Sequence, residues 1–144
     1  MDWSPGTPGP SWCAMASSAE PGLPPRVRQG IELFNRGDFF ECHEVLELEW
    51  KADPAPHRVL YQGMLQAAVT LHHVRRGNWQ GATIMLRRAL AHLEPFAPSW
   101  RGIDVASLLD DMREWQRQLE IAGPDGLEGL YALPLPRIRV SPAS

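Results

Sequence analysis

Apolar positions recur along this chain at helical spacing in five blocks, each closed by glycine or proline. Val27, Ile31 and Phe34 share one face of a stretch from about Arg26 to Arg36. Phe39, Cys42, Leu46 and Trp50 form the stripe of a second block that ends near Lys51. The third block, entered at Pro56 and running through Arg76, is apolar around most of its circumference: Leu60, Tyr61, Met64, Leu65, Ala67, Ala68, Leu71 and Val74. A helix with that pattern has neighbours on several sides and belongs at the centre of a bundle. Its polar exceptions, Gln62, Gln66 and His73, lie on one narrow stripe, most simply the solvent face. A fourth block covers Trp79 to about Leu93, and a fifth follows Asp104 with Val105, Leu108, Leu109, Met112 and Leu119 on one face. The expected class is therefore all-α.

The punctuation agrees with this reading. Gly37 can take the left-handed conformation that ends a helix, and Asp38 suits the N-cap of the next. Glu41, at the third helical position, would complete an acidic capping box. The run ADPAP after Lys51 is a stiff connector, since each proline fixes its own backbone and biases its predecessor away from helix. Pro95 and Pro98 stop the fourth block, and Gly123-Pro124 stops the fifth. Shifting the chain by 40 residues superposes Arg36, Gly37, Asp38, Phe39, Cys42 and Leu46 on Arg76, Gly77, Asn78, Trp79, Ala82 and Leu86. One device is used twice: a helix, a glycine stop, an Asx cap, an aromatic anchor and a small residue at the crossing. The architecture that follows is a compact bundle of about five helices, two stacked helical hairpins plus a closing helix. A Pro-, Gly- and Ser-rich leader over 1–25 precedes a helical domain over 26–122. Residues 123–144, including LPLPRIRV, form an extended C-terminal tail laid over it.

The run FNRGDFFECHEVLELEW, with the later RVLYQGMLQAAVTLHHVRRGNWQGA, resembles the domain of unknown function 309 family of small bacterial, archaeal and plastid proteins. The resemblance covers roughly Val27 to Leu93. It implies a helical fold without an established activity, and family positions at Phe34, Asn35, Gly37, His43, Glu44, Leu46, Glu47, Trp50, Gln66, Gly77, Asn78 and Ala82. Cys42 departs from the pattern, which often has alanine there.

Composition narrows the function classes. At 144 residues the chain can bury a core as one domain, and its 44% hydrophobic and 22% charged content is that of a soluble globular protein. A formal charge of -3 argues against nucleic acid or an anionic membrane as the main partner. Two cysteines, Cys13 and Cys42, make no disulfide framework, and a reducing cytoplasm is the simplest compartment. No apolar run is long enough to span a bilayer.

The candidate chemistry centres on His43, Glu44 and Glu47. His-Glu-x-x-Glu on a helix stacks an imidazole and a carboxylate one turn apart, and a metal shared with His73, His72 or Gln66 from the third helix is one reading. The plainer reading is a buried polar pair that fixes helix packing. If Gln62, Gln66 and His73 face His43 and Glu47, a polar pocket forms between the hairpins, with Arg58 placed to close it over an anion or to pair with a carboxylate. Arg75, Arg76, Arg87 and Arg88 form a basic group that suits a solvated face better than nucleic-acid binding. Trp50, Trp79, Trp100 and Trp115 are expected as anchors of the core. No Ser-His-Asp set, phosphate loop or paired Cys-x-x-Cys occurs. The expectation is a non-enzymatic binding module for a protein or small molecule. A homodimer is left open, no cofactor is expected, and a divalent metal-dependent hydrolase using His43, Glu47 and His73 is the alternative.

Overall fold

In the computed structural model, residues 22–141 are described; the predicted leader lies almost wholly outside them. Helix α1 (Pro25–Arg36) begins with proline at its first position, where a missing N–H costs nothing. Gly37 ends it at φ 84°, and the N–H groups of Gly37 and Asp38 donate to the carbonyls of Phe34 and Leu33. Helix α2 (Phe39–Ala52) returns antiparallel to α1, and after the proline connector α3 (Arg58–Arg75) runs beside it. Gly77, at φ 74°, closes α3 in the same way, and α4 (Trp79–Leu93) packs back along α3. Each hairpin is thus built on a left-handed glycine, and the two hairpins meet through α2 and α3.

The chain then departs from helix. A 3-10 turn at Glu94–Phe96 leads into a small antiparallel hairpin of β1 (Ser99–Trp100) and β2 (Ile103–Asp104). Neither was signalled by hydrophobic period, because two-residue strands are too short to show one. Asp104 caps α5 (Val105–Ala122) by accepting from the Ser107 N–H at 2.9 Å. A second 3-10 turn (Leu127–Ala132) follows, a local helix that the tail was not expected to contain. From Leu133 to Ser141 the tail is extended and tied down at several points. Asn35 on α1 donates to the Ile138 carbonyl and accepts from its N–H, both at 2.8 Å. The Asp104 N–H donates to Arg139, and Val140 bridges to Ile103.

The core is continuous through all five helices. Phe34, Phe39, Leu46, Leu60, Met64, Leu71, Leu86, Leu93, Leu108 and Met112 are almost fully buried. Each such side chain contributes roughly 1.5–3 kcal/mol, whereas exposed ion pairs such as Arg113–Glu94 contribute about 0–1 kcal/mol each. The apolar period therefore decides the fold. Two glycines let the helices approach closely. A Cβ on Gly30 would stand 2.6 Å from Leu46 Cδ2, and one on Gly63 would stand 2.9 Å from Leu93 Cγ.

The duplicated device recurs in three dimensions, with one difference. Cys42 and Ala82 are both fully buried at the crossings, and Leu46 and Leu86 both reach the core. Asn78 caps α4, its Oδ1 accepting from the Gly81 N–H at 2.9 Å. Asp38 forms no side-chain cap; its carboxylate accepts from Arg36 Nε at 3.2 Å instead. The expected capping box with Glu41 does not form, because the Asp38 N–H already donates to Leu33. Attraction to the neighbouring guanidinium draws the acid away, and an amide at the same place has no such alternative.

Candidate functional site

His43 projects from α2 toward α3. Its Nε2 lies 3.8 Å from Glu47 Oε1, beyond hydrogen-bond range, and its Nδ1 is buried without a hydrogen-bond partner. Glu47 also faces Lys51 at 3.7 Å, while Glu44 is exposed and forms no ion pair among the described residues. The ring of Phe40 lies beside both His43 (5.7 Å between centroids) and His72 of α3 (5.3 Å). Burial holds the His72 imidazole below its ordinary pKa, and the neighbouring cation Arg76 adds to the effect. The part of α3 facing His43 is therefore His72 and not the expected polar stripe.

That stripe turns the other way. Gln66 is buried against α4, where its Oε1 accepts from His92 Nδ1 at 2.7 Å, and Thr70 donates to its backbone carbonyl. His73 sits over the start of α4: its Nδ1 accepts from Asn78 Nδ2 at 3.3 Å, and its ring would lie 3.1 Å from a Cβ on Gly81. Gln62, on the same stripe, is half-buried. Gln66 and His72 are six residues apart, about 240° around the helix, so they serve opposite neighbours. Gln66 and His73 thus turn to α4, and among the described residues they are not brought to His43 and Glu47 in the pocket that a shared face would have formed. Nor is the stripe a solvent face, since Gln66 is buried. The metal set of His43, Glu47 and His73 fails for the same reason, and among the described residues no group of three or more His, Cys, Asp and Glu is arranged to hold a metal.

Among the described residues Arg58 pairs with no carboxylate. Its Nε donates to the Trp50 carbonyl at 2.9 Å and its guanidinium lies over the Trp50 ring, so the two residues clamp the end of α2 to the start of α3. Beside them is a pair that sequence reasoning missed: His57 Nε2 donates to Asp53 Oδ2 at 2.8 Å, with the imidazole against Trp100 and Tyr61. The Ala55 N–H and His57 together hold the Asp53 carboxyl below the usual carboxylate range. Tyr61 is fully buried with its hydroxyl unpartnered; burial above all, with Asp53 and Glu49 nearby, pushes it up to about 12. Glu49 pairs with Arg26 at 3.5 Å beside a cleft of about 350 Å³ lined by Pro25, Arg26, Gln29 and Glu49. Cys42 is buried and its thiol is pushed up to about 12 by that burial, so it is no nucleophile.

The four arginines do not act as one cluster. Arg75 is fixed at the first hairpin: it donates to the Gly37 carbonyl and lies over the Phe39 ring at 4.7 Å. Arg76 is exposed at the end of α3, whereas Arg87 and Arg88 are exposed about 12 Å along α4 from its start. Trp79 and Trp115 anchor as expected, their indole N–H groups donating to Leu119 and Pro134 carbonyls at 2.8 and 3.0 Å.

A mostly apolar concavity lies where α3, α5 and the tail converge. It holds about 300 Å³ and is lined by Leu71, Val74, Trp115, Leu130, Tyr131 and Leu135, with Arg75 at its rim. No carboxylate among the described residues pairs with Arg75. Sequence reasoning had no signal for this groove, because half of its wall comes from the tail.

No helix among the described residues is long and apolar enough to cross a membrane. Comparison with known proteins finds relatives without an assigned activity. Over 93 residues the chain is 39% identical to the uncharacterized protein YpuF of Bacillus subtilis, covering 62% of this chain and 53% of that protein. Over 103 residues it is 29% identical to an uncharacterized protein of Aquifex aeolicus, covering 71% of this chain and 31% of that one. The chain thus spans about half or less of the length of these relatives. Residues 27–85, which hold both glycine-stopped turns and the His43–Glu47 pair, match the model of the family described as Domain of unknown function (DUF309).

Proposed function

We propose that this protein is a non-enzymatic binding module, and that its binding surface is the groove between α3, α5 and the tail rather than a polar pocket between the hairpins. The observation that carries this reading is a concavity of about 300 Å³, walled by Leu71, Val74, Trp115, Leu130, Tyr131 and Leu135, with a guanidinium held at its edge. Mostly apolar walls with one fixed polar group are the usual make-up of a ligand cleft. Of the side chains that suggested chemistry beside His43 and Glu47, Gln66 joins α3 to α4 through His92, His73 supports the α4 cap, and Arg58 clamps Trp50. Such groups have no free lone pair or proton aimed at a common point, which acid–base work requires.

Anilinonaphthalene sulfonate, an apolar ring system carrying one anion, probes the groove directly. It is expected to bind the folded protein saturably at one site. Binding should be lost in Leu135→Asp and retained in His43→Ala. Equal binding by wild type and Leu135→Asp, or none by either at concentrations where the chain is monomeric, removes the groove as the binding surface. Cytoplasmic location remains part of this reading, supported by a buried Cys42 that forms no disulfide among the described residues.

A further inference from the structure

Two features of the surface are unexplained by the fold. The first is α2, whose outer side is left both apolar and acidic: Phe40 and Leu48 are 51% and 55% exposed, and the carboxylates of Glu41 and Glu44 between them form no ion pair among the described residues. One side of the Phe40 ring lies against His43 and His72, but about half of Phe40 and of Leu48 stays open to solvent on the same helix, and apolar area left open in this way marks a contact surface. The second is the groove. Tyr131 and Leu135 stand 55% and 42% exposed on its wall, and Arg75 is a cation without an acid among the described residues. Its contacts with the Gly37 carbonyl and the Phe39 ring hold the guanidinium in place, so part of its ordering cost is already met before anything binds.

The features are complementary in chemistry and adjacent in space. An apolar ridge flanked by carboxylates is what an apolar groove with a cationic rim receives. Arg75 touches Gly37, and α2 starts two residues later, so the Phe40 end of the ridge and the groove flank the same turn, with Leu48 about 12 Å further along the helix. A two-fold axis near Gly37 would lay the α2 ridge of each molecule along the groove of the other. Contacts of that kind are isologous, and one surface then satisfies both copies.

We propose that the occupant of the groove is a second copy of this chain, joined through the Phe40–Leu48 ridge and the Arg75 rim in a self-complementary dimer. The proposal rests on the groove being a binding surface. The ion pairs across it, Glu41 and Glu44 of one copy with Arg75 and the exposed Arg76 of the other, lie at a rim open to solvent. They set register and salt dependence more than affinity, and the apolar contact supplies the main attraction.

Sedimentation equilibrium of the full chain over a wide concentration range, at low and high salt, tests this. A monomer–dimer equilibrium that weakens with salt is expected. Arg75→Glu should weaken it by roughly tenfold or more, as should Glu41→Arg with Glu44→Arg. Combining the three reversals should restore much of the loss, which a fault in folding would not do. Arg75 also supports the first turn, so far-UV circular dichroism accompanies each variant. Should Arg75→Glu fail to fold, the exposed glutamates and Leu135→Asp decide the matter. A chain that stays monomeric throughout overturns the proposal, and so does a dimer indifferent to the glutamate reversals and to Leu135→Asp. If the chain is monomeric while the sulfonate probe still binds, the self-pairing falls and the groove reading stands. If the probe does not bind a monomeric chain, both fall.

Discussion

The turn residues Gly37 and Gly77 have nearly the same backbone, φ 84° and 74°, but different surroundings. A side chain at either position meets the left-handed penalty, on the order of 1–2 kcal/mol. At Gly77 a Cβ would meet nothing within 4 Å, whereas at Gly37 it would stand 3.1 Å from the guanidinium of Arg75. Gly37→Val is therefore expected to destabilise by about 1–3 kcal/mol, and more than Gly77→Val, when both are compared by urea unfolding. Equal losses would mean that Arg75 yields freely. The caps offer a second contrast at this scale. Asn78→Ala removes an acceptor that the Gly81 N–H uses and should cost about 1 kcal/mol. Asp38→Ala removes an acid that caps nothing and should cost less, since its one partner is the exposed Arg36. The same pair of unfolding curves ranks them, and the reverse order would refute the cap assignment.

Among the elements, the extended tail is held by a side chain rather than by sheet. Asn35 makes both hydrogen bonds of a strand partner to Ile138, and Ile138 itself is buried. Replacing Asn35 by alanine leaves a buried N–H and a carbonyl unsatisfied, a cost of roughly 1–3 kcal/mol for each group that water cannot reach. Asn35→Ala should raise hydrogen exchange at Ile138 and speed proteolysis within Leu133–Ser141, with α3 protection unchanged. Because Leu135 lies on the same segment, the variant should also weaken probe binding in the groove. Loss of protection across all five helices would instead make the tail part of the cooperative core. The α3–α4 seam shows how a polar pair can sit inside such a core: Gln66 and His92 satisfy one another where Gly63 brings the helices close.

For the molecule as a whole, the histidines set a direction of pH dependence. His72, His73 and His92 are all held below the ordinary imidazole value, each by burial first and then by neighbouring cations, Arg76 for the first two and Arg88 for His92. A base whose pKa is lower in the folded state binds fewer protons there than when unfolded. Stability from these groups is thus fully present above about pH 6.5 and falls as the pH drops through that value toward the folded pKa. Urea midpoints are expected to decline from neutral to mildly acidic pH, and His92→Gln should flatten part of that decline. Asp53 works in the same direction at lower pH: its carboxyl is depressed, so its contribution is lost below the ordinary carboxylate range. A midpoint that stays level from neutral to mildly acidic pH would show these imidazoles to be freely solvated.

Local interactions determined what could be read without coordinates. The period of Phe39, Cys42, Leu46 and Trp50, the left-handed requirement at Gly37 and Gly77 and the caps at Asn78 and Asp104 are set by neighbours a turn away, so helices, turns and the central place of α3 were legible in the chain. Which neighbour each polar residue meets depends on how the helices rotate about their own axes, and that is settled only when the apolar faces pack. Rotation of α3 sends Gln66 and His73 to α4 and leaves His72 beside His43, dissolving a site that spacing alone had assembled. Charge competition moved Asp38 from the cap to Arg36, and the return of the tail created a groove from residues more than fifty positions apart, with Arg75 at its edge. Periodicity constrains one helix at a time, and contacts between distant segments are products of the assembled core.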